Sequence, residues 1–221
     1  MDRRFLAILA AIVLIFVGVF AFSQHSNNNS SSSGTVGTPT NHVEGLGQKG
    51  VTLIEYGDYE CPVCDNFYQP LKQIASAFNS QIYFQFRNLP ITSIHPNAFA
   101  GARAAEAAGL QNKYWQMHDA LYENQSTWST AKNPMPYFDT YAKNIGLNTS
   151  QFDSDYGSSK VNDSINADLD AFKKTGQEIS TPAFFLDGKF LDNSQLVDTK
   201  TGAIKTDVFT QLINAEIASK R

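Results

Sequence analysis

The stretch "EYGDYECPVCDNFYQPLKQI", Glu55 to Ile74, carries both cysteines of a 221-residue chain, three positions apart. Pro62 follows Cys61 directly, and Phe67, Leu71, Ile74 and Phe78 recur at the i, i+4, i+7, i+11 spacing of an amphipathic helix. Proline is favoured at the first helical position, so the helix starts at Pro62, runs to about Phe78 and leaves Cys61 as its N-cap. The Cys61 sulfur then faces the unpaired backbone N–H groups of Val63 and Cys64 at the positive end of the helix dipole. That placement favours thiolate over thiol. Cys64, one turn on, is placed to close a disulfide, so the pair reads as one exposed nucleophile and one resolving thiol.

Outward from this helix the pattern is mixed. Val51 to Gly57, "VTLIEYG", is a β-branched and aromatic run without strict alternation, as expected of a strand covered on both faces. Gln81 to Arg87, "QIYFQFR", alternates apolar and polar, which completes a βαβ unit with parallel strands and a right-handed crossover. Beyond Leu89-Pro90 the period becomes helical: Pro96 to Ala108, Lys113 to Glu123, Tyr137 to Asn144, and a stripe of Val161, Ile165, Leu169 and Phe172. Gly109, Gly146 and Gly176 stand where helix ends want a positive φ. "TPAFFLDGKFL" then reads as two strands turning at Asp187-Gly188, and Val208, Leu212, Ile213 and Ile217 mark a last helix. The order is βαβ, a helical block, ββα, which is an α/β class.

Two thiols at this spacing admit three uses. A metal site needs two more ligands, and the sequence has no second cysteine pair and no His-x3-5-His; His25, His42, His95 and His118 are scattered. A disulfide closing so small a loop restricts the unfolded chain little and makes a poor staple. Redox chemistry is the reading that remains favoured, and it requires no metal or organic cofactor. A formal charge of -4 with interspersed signs offers no basic stripe, which excludes nucleic acid as an expected partner.

The N-terminus differs in kind. After Arg3-Arg4 every residue from Phe5 to Phe22 is apolar or glycine, long enough for a membrane helix. Residues 1–22 are therefore read as an uncleaved, single-pass anchor, with cleavage after Ala21-Phe22-Ser23 and secretion as the other reading. The flanking arginines keep the N-terminus in the cytoplasm, so the rest lies on the extracytoplasmic side. Residues 23–45, rich in Ser, Asn, Gly and Thr, read as a flexible tether.

"EYGDYECPVC", the helical stretch "HPNAFAGARAAEAAGLQNKYWQMHDALYENQ" and the late "TPAFFLDGK" together resemble the DsbA-like thiol-disulfide oxidoreductase family, in its membrane-anchored or exported bacterial branch. The resemblance runs in order from Val51 to the C-terminus. It implies a thioredoxin fold in two parts, residues 46–92 and 177–221, around an inserted helical domain, residues 93–176. It also implies Cys61 as attacking thiolate, Cys64 as resolving thiol, and Pro182 as a cis-proline beside the disulfide. Thr181, just before it, meets an extended substrate chain by β-addition. Glu55, six residues before Cys61, matches a buried acid that takes the Cys64 proton.

The partners implied are thiols of exported or unfolded proteins and a membrane redox partner that reoxidises or reduces the pair. Disulfide formation is the leading activity; reduction or isomerisation, or a chaperone-like binding module on the same scaffold, are the alternatives. The Pro62-Val63 dipeptide lacks the histidine of strongly oxidising relatives. Asp58, Glu60 and Asp65 add negative charge, though at least two of them are expected to be solvated loop acids. The expected Cys61 pKa is therefore roughly 4.5 to 6.5. Phe99, Tyr114 and Trp115 read as core or groove lining and His95 as a helix-start residue.

Overall fold

Val51–Gly57 (β2) is the middle strand of a mixed sheet, flanked by Ile82–Asn88 (β3) and Ala183–Leu186 (β4), with His42–Glu44 (β1) and Lys189–Leu191 (β5) at the edges. The computed structural model describes residues 38–220. β2 pairs in parallel with β3, as the βαβ pattern requires, and antiparallel with β4 through Leu53↔Leu186 and Glu55↔Phe184. Asp187 and Gly188, both at positive φ, turn β4 into β5. Gly188 is free to adopt that backbone because it has no Cβ.

The helix Pro62–Ala77 (α1) crosses from β2 to β3. After β3 come Ala98–Gly109 (α2), Tyr114–Glu123 (α3), Gln125–Trp128 (α4), Met135–Asn144 (α5), Thr149–Tyr156 (α6) and Ser159–Lys173 (α7). Asn193–Leu196 (α8) and Thr206–Ser219 (α9) follow the hairpin. The fold is thus the expected thioredoxin-type α/β arrangement with helices between its two parts.

Strand alternation divides the core. Val51 and Leu53 point to one face of the sheet, where Phe67 and Leu71 of α1 and Phe209 and Ile213 of α9 cover them. Ile54 and Tyr56 point to the other, against Leu169 and Phe172 of α7. A third cluster joins the inserted helices to the cysteines: Ala102, Met117, Leu121, Trp128 and Phe138 pack in one group with Tyr59, Cys61, Cys64 and Phe86. The inserted helices therefore share their core with the cysteine-bearing loop.

Four expectations need correction. β1 lies inside the stretch read as a tether, and Thr40 is buried: its N and Oγ1 each donate to Asp168 at 2.7 Å, so the last residues of that stretch are structure. A three-residue strand is too short to show a period. α6 was not expected, because it buries only Phe152 and so presents no stripe. Gly109 belongs to α2, and Asn112 takes the left-handed turn after it. A Cβ on Gly109 would crowd His42 and Tyr114 at 3.3 and 3.4 Å, so that glycine serves close packing. The α5 start also moves, to Met135, because Pro136 fits the first turn, where a missing N–H loses no helical bond. The anchor, the cleavage site and most of the tether fall outside the described residues; among the described residues no helix is long and apolar enough to cross a membrane.

Candidate active site

β2 ends at Gly57 and the loop Asp58–Cys61 leads straight into α1, so strand and helix together fix where the two sulfurs stand. Cys61 is the N-cap in extended conformation and Pro62 opens the helix, as the spacing requires. Asp65 N donates to Cys61 O at 3.1 Å, which closes the first helical turn. Cys64 is fully buried. Both cysteines are free.

The two thiols sit in opposite electrostatic settings. The Cys61 thiol is held down from about 9.0 to about 5, chiefly by a hydrogen bond from the Cys64 thiol, with further help from Thr181 and from the backbone N–H groups of Cys64 and Val63, against the opposing effect of burial. Cys64 is pushed well up, first by burial, then by its bond to Cys61 and the nearby Glu55 charge. When Cys61 carries its proton, the S–H donates to Thr181 O at 3.5 Å.

The expectation of an exposed Cys61 is corrected: only 5% of the residue is accessible. It lies beneath the Thr181 carbonyl, and Gln125 of α4 donates from Nε2 to both Tyr59 O and Cys61 O, at 3.0 and 2.9 Å, holding the loop inward. Two apolar side chains of the neighbouring sequence are exposed, Val63 between the cysteines and Ile179 two residues before Thr181, among exposed polar residues such as Asn66, Glu178 and Ser180.

The Thr181–Pro182 bond is cis, and Pro182 leads into β4, where its missing N–H costs no ladder bond. Asn193 Nδ2 donates to Pro182 O at 2.6 Å and ties this segment to α8.

Glu55 lies on β2 between Phe86 and Phe184, 3% exposed, and its Oε1 has no hydrogen-bond partner. Burial, with the Cys61 charge second, pushes its carboxyl from 4.5 up to about 8. Gly57 allows the close packing here: a Cβ would strike the Phe86 ring at 2.4 Å and approach Glu55 Oε1 at 3.2 Å. Glu55 also lines a cavity of about 20 Å³, enough for one water, which Lys72 and Asp119 border together with Tyr68, His118 and Tyr122.

At least two of Asp58, Glu60 and Asp65 were expected to be solvated, and instead Asp58 and Glu60 are buried. Asp58 is 1% exposed and accepts from Glu60 N at 2.8 Å, Ile91 N at 2.9 Å and His95 Nδ1 at 2.7 Å. Glu60 is buried and accepts from Asn97 N at 2.6 Å. Together they fasten the Ile91–Asn97 segment to the cysteine loop, and His95 is a partner of Asp58. Asp65, half-buried, is raised by desolvation.

Tyr59 OH lies 3.0 Å from both Tyr114 OH and His118 Nδ1 beneath the cysteine loop. Burial holds His118 down to about 3, so the imidazole is neutral. Tyr114 is core, while Phe99 and Trp115 pack against it half-buried, in line with the reading of these rings as core or lining. Sequence reasoning missed Gln125, Tyr59 and His118. Their partners are distant in the chain, and no spacing rule connects them.

The family model described as thioredoxin matches residues 37–206. Among solved structures, BdbD from Bacillus subtilis superposes with a TM-score of 0.68 at 20% identity, over 82% of this chain and 97% of that one. A thioredoxin-like oxidoreductase from Silicibacter pomeroyi gives 0.65 at 24% identity, over 84% and 96%. The thiol-disulfide exchange protein alpha-DsbA2 from Wolbachia pipientis gives 0.64 at 18%, over 79% and 86%. At these identities the likeness speaks for the fold. A curated relative, the Na(+)/H(+) antiporter NhaA 1 of Mycolicibacterium gilvum, is 34% identical over 152 residues, which are 67% of this chain and 23% of that protein. The chain thus spans about a quarter of the length of the curated relatives it matches.

Proposed function

The chain belongs to the thioredoxin family, and from that premise we propose that it is a protein thiol-disulfide oxidoreductase whose Cys61–Cys64 pair cycles between disulfide and dithiol. The observation that carries this reading is the asymmetry of the pair, one thiol held near 5 and the other pushed up in a buried site.

In the forming direction a client thiolate attacks Cys61 Sγ. The Cys61–Cys64 bond breaks, Cys64 leaves with the electron pair, and a mixed disulfide joins client to Cys61. A second client thiolate attacks the client sulfur of that bond and Cys61 leaves as thiolate. The client loses two electrons, which the pair gains. The acidity of Cys61 makes it the better leaving group in the second step. Cys64 is a poor anion in its buried position, and Glu55, with a carboxyl near 8, is protonated at neutral pH and supplies the proton. In the reverse direction Glu55 takes it back.

The cis Thr181–Pro182 segment above Cys61 and the apolar Val63 and Ile179 suit an extended, unfolded client. A thiol near 5 points to a potential in the oxidising half of the interval from about -120 to about -270 mV. The apolar run Phe5–Phe22 behind Arg3-Arg4 supports a domain tethered outside the cytoplasmic membrane, acting on exported proteins and recharged by a membrane redox partner. Ion exchange is not proposed, because the match leaves about three quarters of the antiporter relatives' length unaligned.

Trapping tests the proposal. With unfolded clients that carry a disulfide, the Cys61 thiolate of Cys64→Ser attacks one client sulfur, the other leaves as thiolate, and the mixed disulfide accumulates, whereas Cys61→Ser accumulates none; equal trapping by both, or trapping by Cys61→Ser alone, overturns it.

A further inference from the structure

The face of the sheet turned away from Glu55 carries a groove of about 440 Å³, between the C-terminal end of α7 and the β4–β5 hairpin. Its size lies within the range of small-molecule sites, roughly 300 to 1,000 Å³. Tyr56, Phe185 and Phe190 line it with aromatic surface, Phe185 meeting the edges of Tyr56 and Phe190 at centroid distances of 5.7 and 5.5 Å. Phe190 is 41% exposed, an apolar ring left facing the groove and solvent.

The charge there has one sign. Arg87 and Lys174 line the groove and no carboxylate does, in a chain whose net charge is -4. Arg87 Nη1 donates to Tyr56 OH at 2.7 Å, but its buried Nε has no acceptor. Neither cation belongs to an ion pair among the described residues. Of the acids adjoining its lining segments, Asp170 pairs with Lys173 and Asp187 with Lys220, while Glu178, next to Gln177, is exposed and outside the lining. A guanidinium with a free buried N–H beside a flat aromatic surface suits a planar carboxylate on a planar apolar body.

We infer that this groove is a binding site for a small aromatic monocarboxylate, its carboxylate held by Arg87 and Lys174 and its ring laid against Phe185 and Phe190. The site is separate from the cysteines, because Tyr56 and Glu55 are successive residues of one strand and point to opposite faces.

Titration calorimetry of the full chain with naphthalene-2-carboxylate, and with naphthalene-2-methanol as its uncharged match in shape, tests this. The acid binds one to one and about a hundredfold tighter than the alcohol, the worth of two charge-assisted contacts. Lys174→Met, a surface change that does not endanger folding, weakens the acid by about five- to tenfold and leaves the alcohol unchanged; Arg87→Met does the same more strongly. Cys61→Ser binds the acid as the unaltered chain does, so the result is independent of the redox proposal. Equal affinity for acid and alcohol, or acid binding that Lys174→Met does not move, overturns the inference.

Discussion

Glu55 and Asp168 are both buried carboxylates next to the central strands, 3% and 0% exposed, and their surroundings treat them differently. Asp168 accepts from Thr40 N, Thr40 Oγ1, Asn88 N and Asn88 Nδ2, between 2.7 and 3.3 Å. Burial raises its carboxyl while these donors pull it back. Glu55 has one oxygen with no donor at all and stands near 8. Equal burial therefore does not make equal groups: a carboxylate ringed by donors holds parts of the chain together, whereas one left without them can exchange a proton at neutral pH.

The sharpest way to break this comparison is to remove the satisfied acid. Asp168→Ala strands donors from the N-terminal segment and β3, and costs about 3–5 kcal/mol in urea unfolding. The Cys61 thiol keeps its acidity. A cost below about 1 kcal/mol would show that the four bonds contribute little beyond replacing water.

Glu55→Gln reverses the pattern. Thiol exchange at neutral pH slows by about 100-fold, because the amide can neither give nor take the Cys64 proton. Stability responds with the opposite sign. The folded chain keeps a proton on Glu55 that the unfolded chain loses above about 4.5, so the favourable contribution is full below 4.5 and is lost as pH rises through about 8. Glu55→Gln therefore gains on the unaltered protein across that window. The comparison is best made on the disulfide form, where Cys61 does not titrate and burial, the larger cause, is what remains. A pH-independent difference between the two proteins would mean that Glu55 does not carry the raised carboxyl.

The smallest expected effect concerns Thr181. Thr181→Val removes a hydroxyl that has no hydrogen-bond partner while the Cys61 thiol donates to the Thr181 carbonyl and that is free to donate to the Cys61 thiolate, and raises the Cys61 midpoint from near 5 by about one unit in a thiolate absorbance titration. An unchanged midpoint would assign the acidity to Cys64 and the helix start alone.

Much of this was legible in the chain because it rests on local rules. Pro62 fixes the start of α1 and thereby the role of Cys61 as N-cap, and Asp187-Gly188 fixes the hairpin. The stripe Val161, Ile165, Leu169 and Phe172 gives α7 its buried face. What escaped depends on partners far along the chain. Asp58 and Glu60 look like loop acids until Ile91, His95 and Asn97, more than thirty residues on, close over them. Gln125 has no period that would mark it as the clamp on the Cys61 carbonyl. α6 went unseen because one buried phenylalanine makes no stripe, and β1 because three residues make no alternation.

The seating of Thr40 has a mechanical side. A pull arriving through Thr38 meets two bonds to Asp168 on α7, one from Gln85 on β3 to Thr40 O at 2.8 Å, and then His42 against Glu106 on α2. Force entering there would be divided among two helices and a strand before any of it reached the loop that carries Cys61, so load on the first described residues would be borne at the edge of the sheet.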